Sequence, residues 1–210
     1  MTIFLASKSP RRHQLLKQIG VDFESIDIAV DEHWDGKEHP RVHVARLALE
    51  KARAGKAKIN ITEPCAILGA DTAVVLDNVV LGKAVNREQA IAMLTQLSGR
   101  MHHVYSSVAL VTESRELVAT NVSRVCFRPL TREEIENYCG SDEPIGKAGG
   151  YAIQGRAAAF IERLEGSYSG VMGLPLYETS QLLKTTGKDY NLPQNIDGRS
   201  QTRPTTDGRS

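Results

Sequence analysis

Aromatic residues are few in this chain, 5% of 210, and basic side chains outnumber acidic ones by only one. Such a balance supplies no broad basic field to draw nucleic acid. The sparse aromatics give no row of rings on which unpaired bases would stack. Any anion site has to be built locally. Cysteine is as scarce: Cys65, Cys126 and Cys139 are odd in number, far apart and without a C-x-x-C pair. That pattern fits reduced thiols and argues against a disulfide framework or a zinc site. No apolar run nears the roughly 18 residues of a membrane helix. Met1-Thr2-Ile3-Phe4-Leu5 also lacks the basic start and long apolar core of an export signal. The expectation is a soluble cytoplasmic protein that binds neither membrane nor nucleic acid.

What is present is an ordinary globular composition, 41% hydrophobic and 24% charged, in a length that suits one domain with a real core. Residues 1–187 read as that domain. From Lys188 onward the chain is polar and repeats Asp-Gly-Arg-Ser at 197–200 and 207–210, the composition of a disordered tail.

The most unusual stretch lies near the middle. Ala66-Ile67-Leu68 leads through Gly69-Ala70 to Asp71-Thr72, and a second β-rich run, Ala73-Val74-Val75-Leu76, follows. Asp77-Asn78 supplies a turn, and Val79-Val80-Leu81 then runs to Gly82-Lys83. A lone acid among so many apolar residues is costly to bury unless it is paired, metal-bound or protonated. Asp71 is therefore the first candidate for chemistry.

Thr2–Ala6 reads as a buried strand. Ser7-Lys8-Ser9-Pro10-Arg11-Arg12 follows, and then a helix with Leu15, Leu16 and Ile19, in which Ser9 suits the N-cap, Pro10 the first turn and Gly20 the stop. Two readings of that first turn stand level. Serines, arginines and free N–H groups at a helix start make a phosphate site. They also make a well-capped helix with solvated arginines. Val21–Ala29 patterns as a second strand. Val30–Arg41 is a polar segment whose Asp31-Glu32 pair either helps to hold a divalent cation or is simply solvated.

A helix is expected over 42–58, with Val44, Leu47 and Ala48 on one face and Lys51 among its charges. Asn86 can cap a further helix to Leu97. Met101–Thr112 and Glu116–Arg128 read as long strands. His102 and His103 then point to opposite faces and cannot share a metal. Thr131 and Glu134 form a capping box for a helix to about Cys139. The glycine-rich run from Gly146 to Gly155 matches neither Rossmann nor P-loop spacing. Ala157–Leu164 reads as a strand. Gly166-Ser167-Tyr168-Ser169-Gly170 is no hydrolase elbow, because Tyr168 sits where the nucleophilic serine is needed. Pro175 opens a last helix through Leu183.

Four islands share one theme: Ser7–Arg12, Lys51, Asp71–Thr72 with Lys83, and Lys147–Gln154. They gather cations, hydroxyls and glycines around one acid. Phosphoryl chemistry needs that mix, with donors for the phosphate oxygens and a carboxylate to hold metal or deprotonate water. No serine or cysteine has a paired base that would make it a covalent nucleophile.

In order along the chain, the residues resemble the Maf family. The series is Ser7-Lys8-Ser9-Pro10-Arg11-Arg12, Ala45-Arg46-Leu47-Ala48 with Glu50-Lys51-Ala52, Gly69-Ala70-Asp71-Thr72 and Gly82-Lys83. It continues through Leu97-Ser98-Gly99, Lys147-Ala148-Gly149, Ile153-Gln154-Gly155 and Gly173-Leu174-Pro175. The likeness spans about residues 2–184 and leaves the tail outside. It implies an α/β, ITPase-like fold, a twisted mixed sheet flanked by helices in two lobes around a central cleft. It also implies a homodimeric nucleotide pyrophosphatase that cuts the α–β bond of a nucleoside triphosphate with a divalent cation, magnesium or manganese.

By position, Asp71 corresponds to the proton acceptor. Arg12, Lys51 and Lys83 correspond to catalytic or phosphate-binding residues, with Ser7, Ser9 and Lys147 in the same cradle and Glu32 and Asp71 as metal ligands. Branches of the family differ at Arg11, Thr72 and Gln154, and the combination here resembles the branch acting on dTTP and UTP. The Gln154 carboxamide agrees: its donor and acceptor match the O4 and N3–H edge of thymine or uracil. Lys8, where the family often has a small residue, and Gly146, where this branch has Asp, depart from the pattern. Two other readings stay open. One is a pyrophosphatase for a modified nucleotide such as 7-methyl-GTP. The other is a nucleotide-binding regulator without turnover, in line with the division arrest behind the family name.

Overall fold

The computed structural model describes residues 1–60 and 63–187; the tail expected at 188–210 lies outside them. Seven strands form one sheet: β1 (Thr2–Leu5), β2 (Glu24–Ser25), β3 (Cys65–Leu76), β4 (Val79–Leu81), β5 (Met101–Val111), β6 (Glu116–Phe127) and β7 (Ile161–Glu165). Their lateral order is β2-β1-β3-β5-β6-β7, with β4 also paired to β3. β1 runs parallel to β2 and β3, and the other pairings are antiparallel. The helices are α1 (Pro10–Gln18), α2 (Pro40–Lys58), α3 (Arg87–Leu97), α4 (Arg132–Cys139), α5 (Tyr168–Met172) and α6 (Leu176–Lys184). The chain is thus an α/β protein with a mixed sheet flanked by helices.

Local chemistry explains many of the boundaries. α1 ends in a Schellman motif: Gly20, at φ 71°, donates to Lys17 O, and Val21 donates to Leu16 O. The Asn86 side chain accepts from Gln89 N, and Thr131 and Glu134 complete both halves of a capping box. Asp77 and Asn78, at φ 51° and 64°, form the left-handed two-residue turn that joins β3 to β4.

β3 is the axis of the sheet. The sequence divided it at a small-residue step, but one twelve-residue strand covers both apolar runs. Its even-numbered side chains, including Leu68, Val74 and Leu76, enter the main core with Leu15, Leu16, Leu94, Leu97 and Leu183. Each fully buried leucine contributes about 1.5–3 kcal/mol. The opposite face of β3 meets α2, where Ile67 packs against Ala48 and Ala52. A Cβ on Gly69 would lie 2.2 Å from Ala48 O and 2.5 Å from Ala52 N. Glycine therefore sets how closely α2 lies on the strand, and that approach brings Lys51 beside Asp71.

One edge of β3 is paired with β5 from Ile67 to Val75. The other edge is paired only at its ends, Cys65–Leu68 with β1 and Val74–Leu76 with β4. Among the described residues, 69–73 thus have no strand beside them on that edge. The opening in the sheet is where the candidate site forms.

Several expectations need correction. The strand expected over Val21–Ala29 shrinks to Glu24–Ser25, an exposed pair at the sheet edge; Val21, Phe23, Ile26 and Ile28 pack inward, but only those two residues pair with β1. Ala157–Leu164 divides into a 3₁₀ turn, Arg156–Phe160, and then β7. Three alanines have little strand preference, and the turn buries Phe160 against Tyr138, 5.3 Å between ring centres. α2 starts at Pro40, with the His39 ring accepting from Arg41 N as its cap. The stretch after Gly166 forms α5, capped by Ser167. His102 and His103 do point apart, and His102 is buried with a ring nitrogen 2.8 Å from Tyr151 Oη. All three cysteines are free. Among the described residues no helix is long and apolar enough to cross a membrane.

Candidate active site

The opening beside β3 holds a cavity of about 610 Å³. That is in the range of small-molecule sites. Ser7, Ser9, Arg11, Arg12, Glu32, Lys51, Asp71, Thr72, Lys83, Lys147 and Gln154 all line it. These residues therefore meet at one place, although they span most of the chain; Asp31, paired with Glu32 in the sequence reading, does not line it. Asp71 and Thr72 point to opposite faces of β3, yet both reach the cavity because it occupies the place of the missing strand.

The end of β1 delivers the first wall. The Ser7 carbonyl meets a His13 ring nitrogen at 2.7 Å and accepts from Ser25 Oγ at 3.0 Å, which anchors the turn into α1. Ser7 Oγ accepts from Ser9 N at 3.2 Å and from Arg12 Nη1 at 3.3 Å. Ser9 holds the N-cap position, but its hydroxyl makes no capping bond. The cap expected there is thus only positional, and the Ser9 side chain borders the cavity.

Lys51 and Asp71 form the buried centre, 4% and 7% exposed. Lys51 Nζ donates to Asp71 Oδ1 at 2.6 Å and lies 2.5 Å from Glu32 Oε1. The other Glu32 oxygen takes Lys83 Nζ at 2.5 Å. Burial works against the Glu32 charge, but hydrogen bonds from Lys51 and Lys83 outweigh it and hold the carboxyl down at about 2. Glu32 thus stays partly open to solvent while both its carboxylate oxygens are engaged by lysines.

Thr72 Oγ1 is 2.9 Å from Ser106 Oγ and 3.4 Å from Gly173 O. Gly173 O also accepts from Arg12 Nε at 2.8 Å. α5 therefore ends on a carbonyl that ties α1 to β3. Lys83 and Lys147 come together where the glycine-rich run zips onto the segment after β4: Gly149 N donates to Gly82 O, and Ala84 N to Lys147 O. Gly149, at φ 66°, lies so near Val74 that a Cβ would come within 2.9 Å of Cγ1. Gln154 is exposed into the cavity, and its carboxamide has no hydrogen-bond partner among the described residues.

Six cations, Lys8, Arg11, Arg12, Lys51, Lys83 and Lys147, line the cavity with only two carboxylates, Glu32 and Asp71. Burial and then the charge of Arg12 lower the pKa of Arg11. Burial also lowers that of Arg12, opposed by Asp71 and Glu32, and burial followed by Arg11 lowers that of Lys147. Cations crowded so far that they disfavour one another's charge make a site that gains by taking in an anion. Fork-shaped guanidiniums suit the oxygens of a phosphate chain.

Among the described residues no group of three or more His, Cys, Asp or Glu side chains could cage a metal ion. Glu32 and Asp71 converge on Lys51 Nζ, and two such carboxylates are hard oxygen donors of the kind used by a cation that keeps waters and shares phosphate oxygens. The donor set fits a metal that arrives with a triphosphate. Sequence reasoning did not find Ser106 or the chemical part of the Gly173 carbonyl. Ser106 has no local signal, since only strand register sets it opposite Thr72.

The family described as Maf-like protein matches residues 2–186. A dTTP/UTP pyrophosphatase of Alkalilimnicola ehrlichii is 54% identical over 191 residues, covering 90% of this chain and 94% of that protein. One from Xanthomonas campestris pv. campestris is 52% identical over 187 residues, covering 88% and 98%. A solved nucleoside-triphosphatase, dITP/XTP pyrophosphatase, from Mycobacterium abscessus aligns with 62% of this chain and 76% of its own. Its TM-score of 0.37 at 21% identity is too loose a likeness to add weight. A match over nearly the whole described length, with relatives half identical from end to end, leaves one assignment: the chain belongs to the Maf family.

Proposed function

We propose that the cavity hydrolyses dTTP and UTP to the nucleoside monophosphate and pyrophosphate, by attack of water on the α-phosphorus. The observation that carries the reading is the buried Lys51–Asp71 pair set among an excess of cations. Asp71 accepts the proton of the attacking water, and Lys51 holds that carboxylate in place. Arg12 and Lys83 take the charge that develops on the phosphate oxygens, with Ser7, Ser9 and Lys147 completing the cradle. Glu32 and Asp71 would hold a divalent cation, magnesium or manganese, which supplies Lewis-acid neutralisation of the phosphate chain.

Arg11, Thr72 and Gln154 set the choice of base. The free Gln154 carboxamide pairs with the N3–H and O4 edge that thymine and uracil share. The relatives' names support this substrate class. A homodimer in the cytoplasm that removes nucleotides before they are misused completes the reading.

A nucleotide panel with product identification tests it. dTTP and UTP should yield monophosphate and pyrophosphate, ahead of CTP and 7-methyl-GTP. Asp71→Asn should lower kcat by about 100-fold or more, the scale of a lost proton acceptor. Preference for 7-methyl-GTP, recovery of intact triphosphate, or full activity in Asp71→Asn would each overturn the proposal.

A further inference from the structure

A glutamine reads a base selectively only if it is held. Its carboxamide offers a donor and an acceptor, and turned over it presents the reverse pair. Thymine shows O4 as acceptor and N3–H as donor, whereas cytosine shows an amino donor and the N3 acceptor. A loosely placed Gln154 would serve both. The carboxamide itself is unbonded among the described residues, so what the fold holds is the backbone that carries it, from behind the cavity wall.

Gln154 sits in the middle of the short segment 152–157. Ala152 N–H donates to Tyr138 Oη at 3.3 Å. At the other end, Arg156 N–H donates to Glu143 Oε2 at 3.1 Å and Ala157 N–H to Glu143 Oε1 at 3.4 Å. Tyr138 Oη in turn donates to Glu143 Oε1 at 3.0 Å. The two ends of the segment are thus joined through one hydroxyl and one carboxylate. Tyr138 comes from α4, is 1% exposed and is packed on Phe160. Gly155 lets the carboxylate lie against the backbone, since a Cβ there would come within 2.2 Å of Glu143 Oε1. Neither Tyr138 nor Glu143 lines the cavity.

We propose that Glu143 and Tyr138 are positioning residues that set base selectivity by fixing the segment bearing Gln154. Three donors converge on Glu143, so the position needs a group that only accepts. A glutamine there would turn an amino group toward at least one N–H or O–H and loosen the clamp. The inference rests on Gln154 reading the base.

The test compares kcat/KM for dTTP and dCTP in the unaltered protein, Glu143→Gln, Tyr138→Phe, Gln154→Ala and the Glu143→Gln/Gln154→Ala double variant. Glu143→Gln should reduce the dTTP-to-dCTP ratio about tenfold, the value of one or two hydrogen bonds, chiefly through KM for dTTP. Tyr138→Phe, which keeps the buried ring, should do the same to a smaller degree, and it carries the test should Glu143→Gln fail to fold. In the Gln154→Ala background, Glu143→Gln should change the ratio no further. An unchanged ratio in both clamp variants, with a reduced one in Gln154→Ala, overturns the clamp alone. So does a double variant whose losses multiply, the mark of a general structural defect. An unchanged ratio in Gln154→Ala overturns the base reading itself, and the clamp falls with it.

Discussion

Helix α2 carries charge on two faces, and the two are built to different ends. On the outer face Arg46 pairs with Glu38 and with Glu50, and Glu38 also meets a ring nitrogen of the buried His43 at 2.8 Å. Every group there answers another. The hydrogen bond from Arg46, opposed by burial and helped by His43, draws the pKa of Glu38 down, and Glu38 raises that of Arg46. On the inner face Lys51 alone points at β3, between two carboxylates, in a cavity where cations outnumber acids. The same residue types give a closed network on one side and a charge excess on the other. Closure is what a folded surface needs. The excess is what an anionic ligand needs.

The largest expected effect tests the inner face. Lys51→Met removes the cation shared by Asp71 and Glu32, and kcat/KM for dTTP should drop about 1000-fold, the upper scale for one charge-stabilising donor. Steady-state kinetics reads this directly, and activity within about tenfold would end the distinction between the faces.

A middle effect concerns Glu32 and pH. Its pKa is held at about 2 against an ordinary 4.5, so its pairing contributes stability that is complete above pH 4.5 and fades as the pH falls toward 2. The difference in denaturant midpoint between the unaltered protein and Glu32→Gln should therefore be full at about pH 6 and shrink by about pH 3. A difference independent of pH would mean that Glu32 does not hold the lysines in solution.

The smallest effect belongs outside. Arg46 is 40% exposed, so Arg46→Ala should change stability by at most about 1 kcal/mol and leave kcat/KM within about twofold. A large loss of activity would show that the outer network reaches the site after all.

Legibility in the sequence followed the range of the interactions. The helix starts at Asn86 and Thr131, the stop at Gly20 and the turn at Asp77-Asn78 rest on contacts within a few residues. The strand expected over Ala157–Leu164 failed where burial of Phe160 outweighed the local pattern. The site residues were legible as islands because phosphate chemistry asks for a narrow set of side chains. Their joint arrangement was not. Arg12 reaches Gly173 across 161 positions, and Thr72 meets Ser106 only through strand register.

Taken alone, the order of residues determined the α/β class, the family and the chemical repertoire of acid, cations and hydroxyls. Capping, turn formation and hydrophobic period act locally and leave a local trace. The tertiary structure decided that β3 keeps a five-residue stretch, 69–73, without a strand on one edge, and that α2 settles on Gly69. It also decided that Glu143 and Tyr138 stand behind Gln154. These depend on which distant surfaces pack together, and packing free energy belongs to the whole fold rather than to any stretch of it.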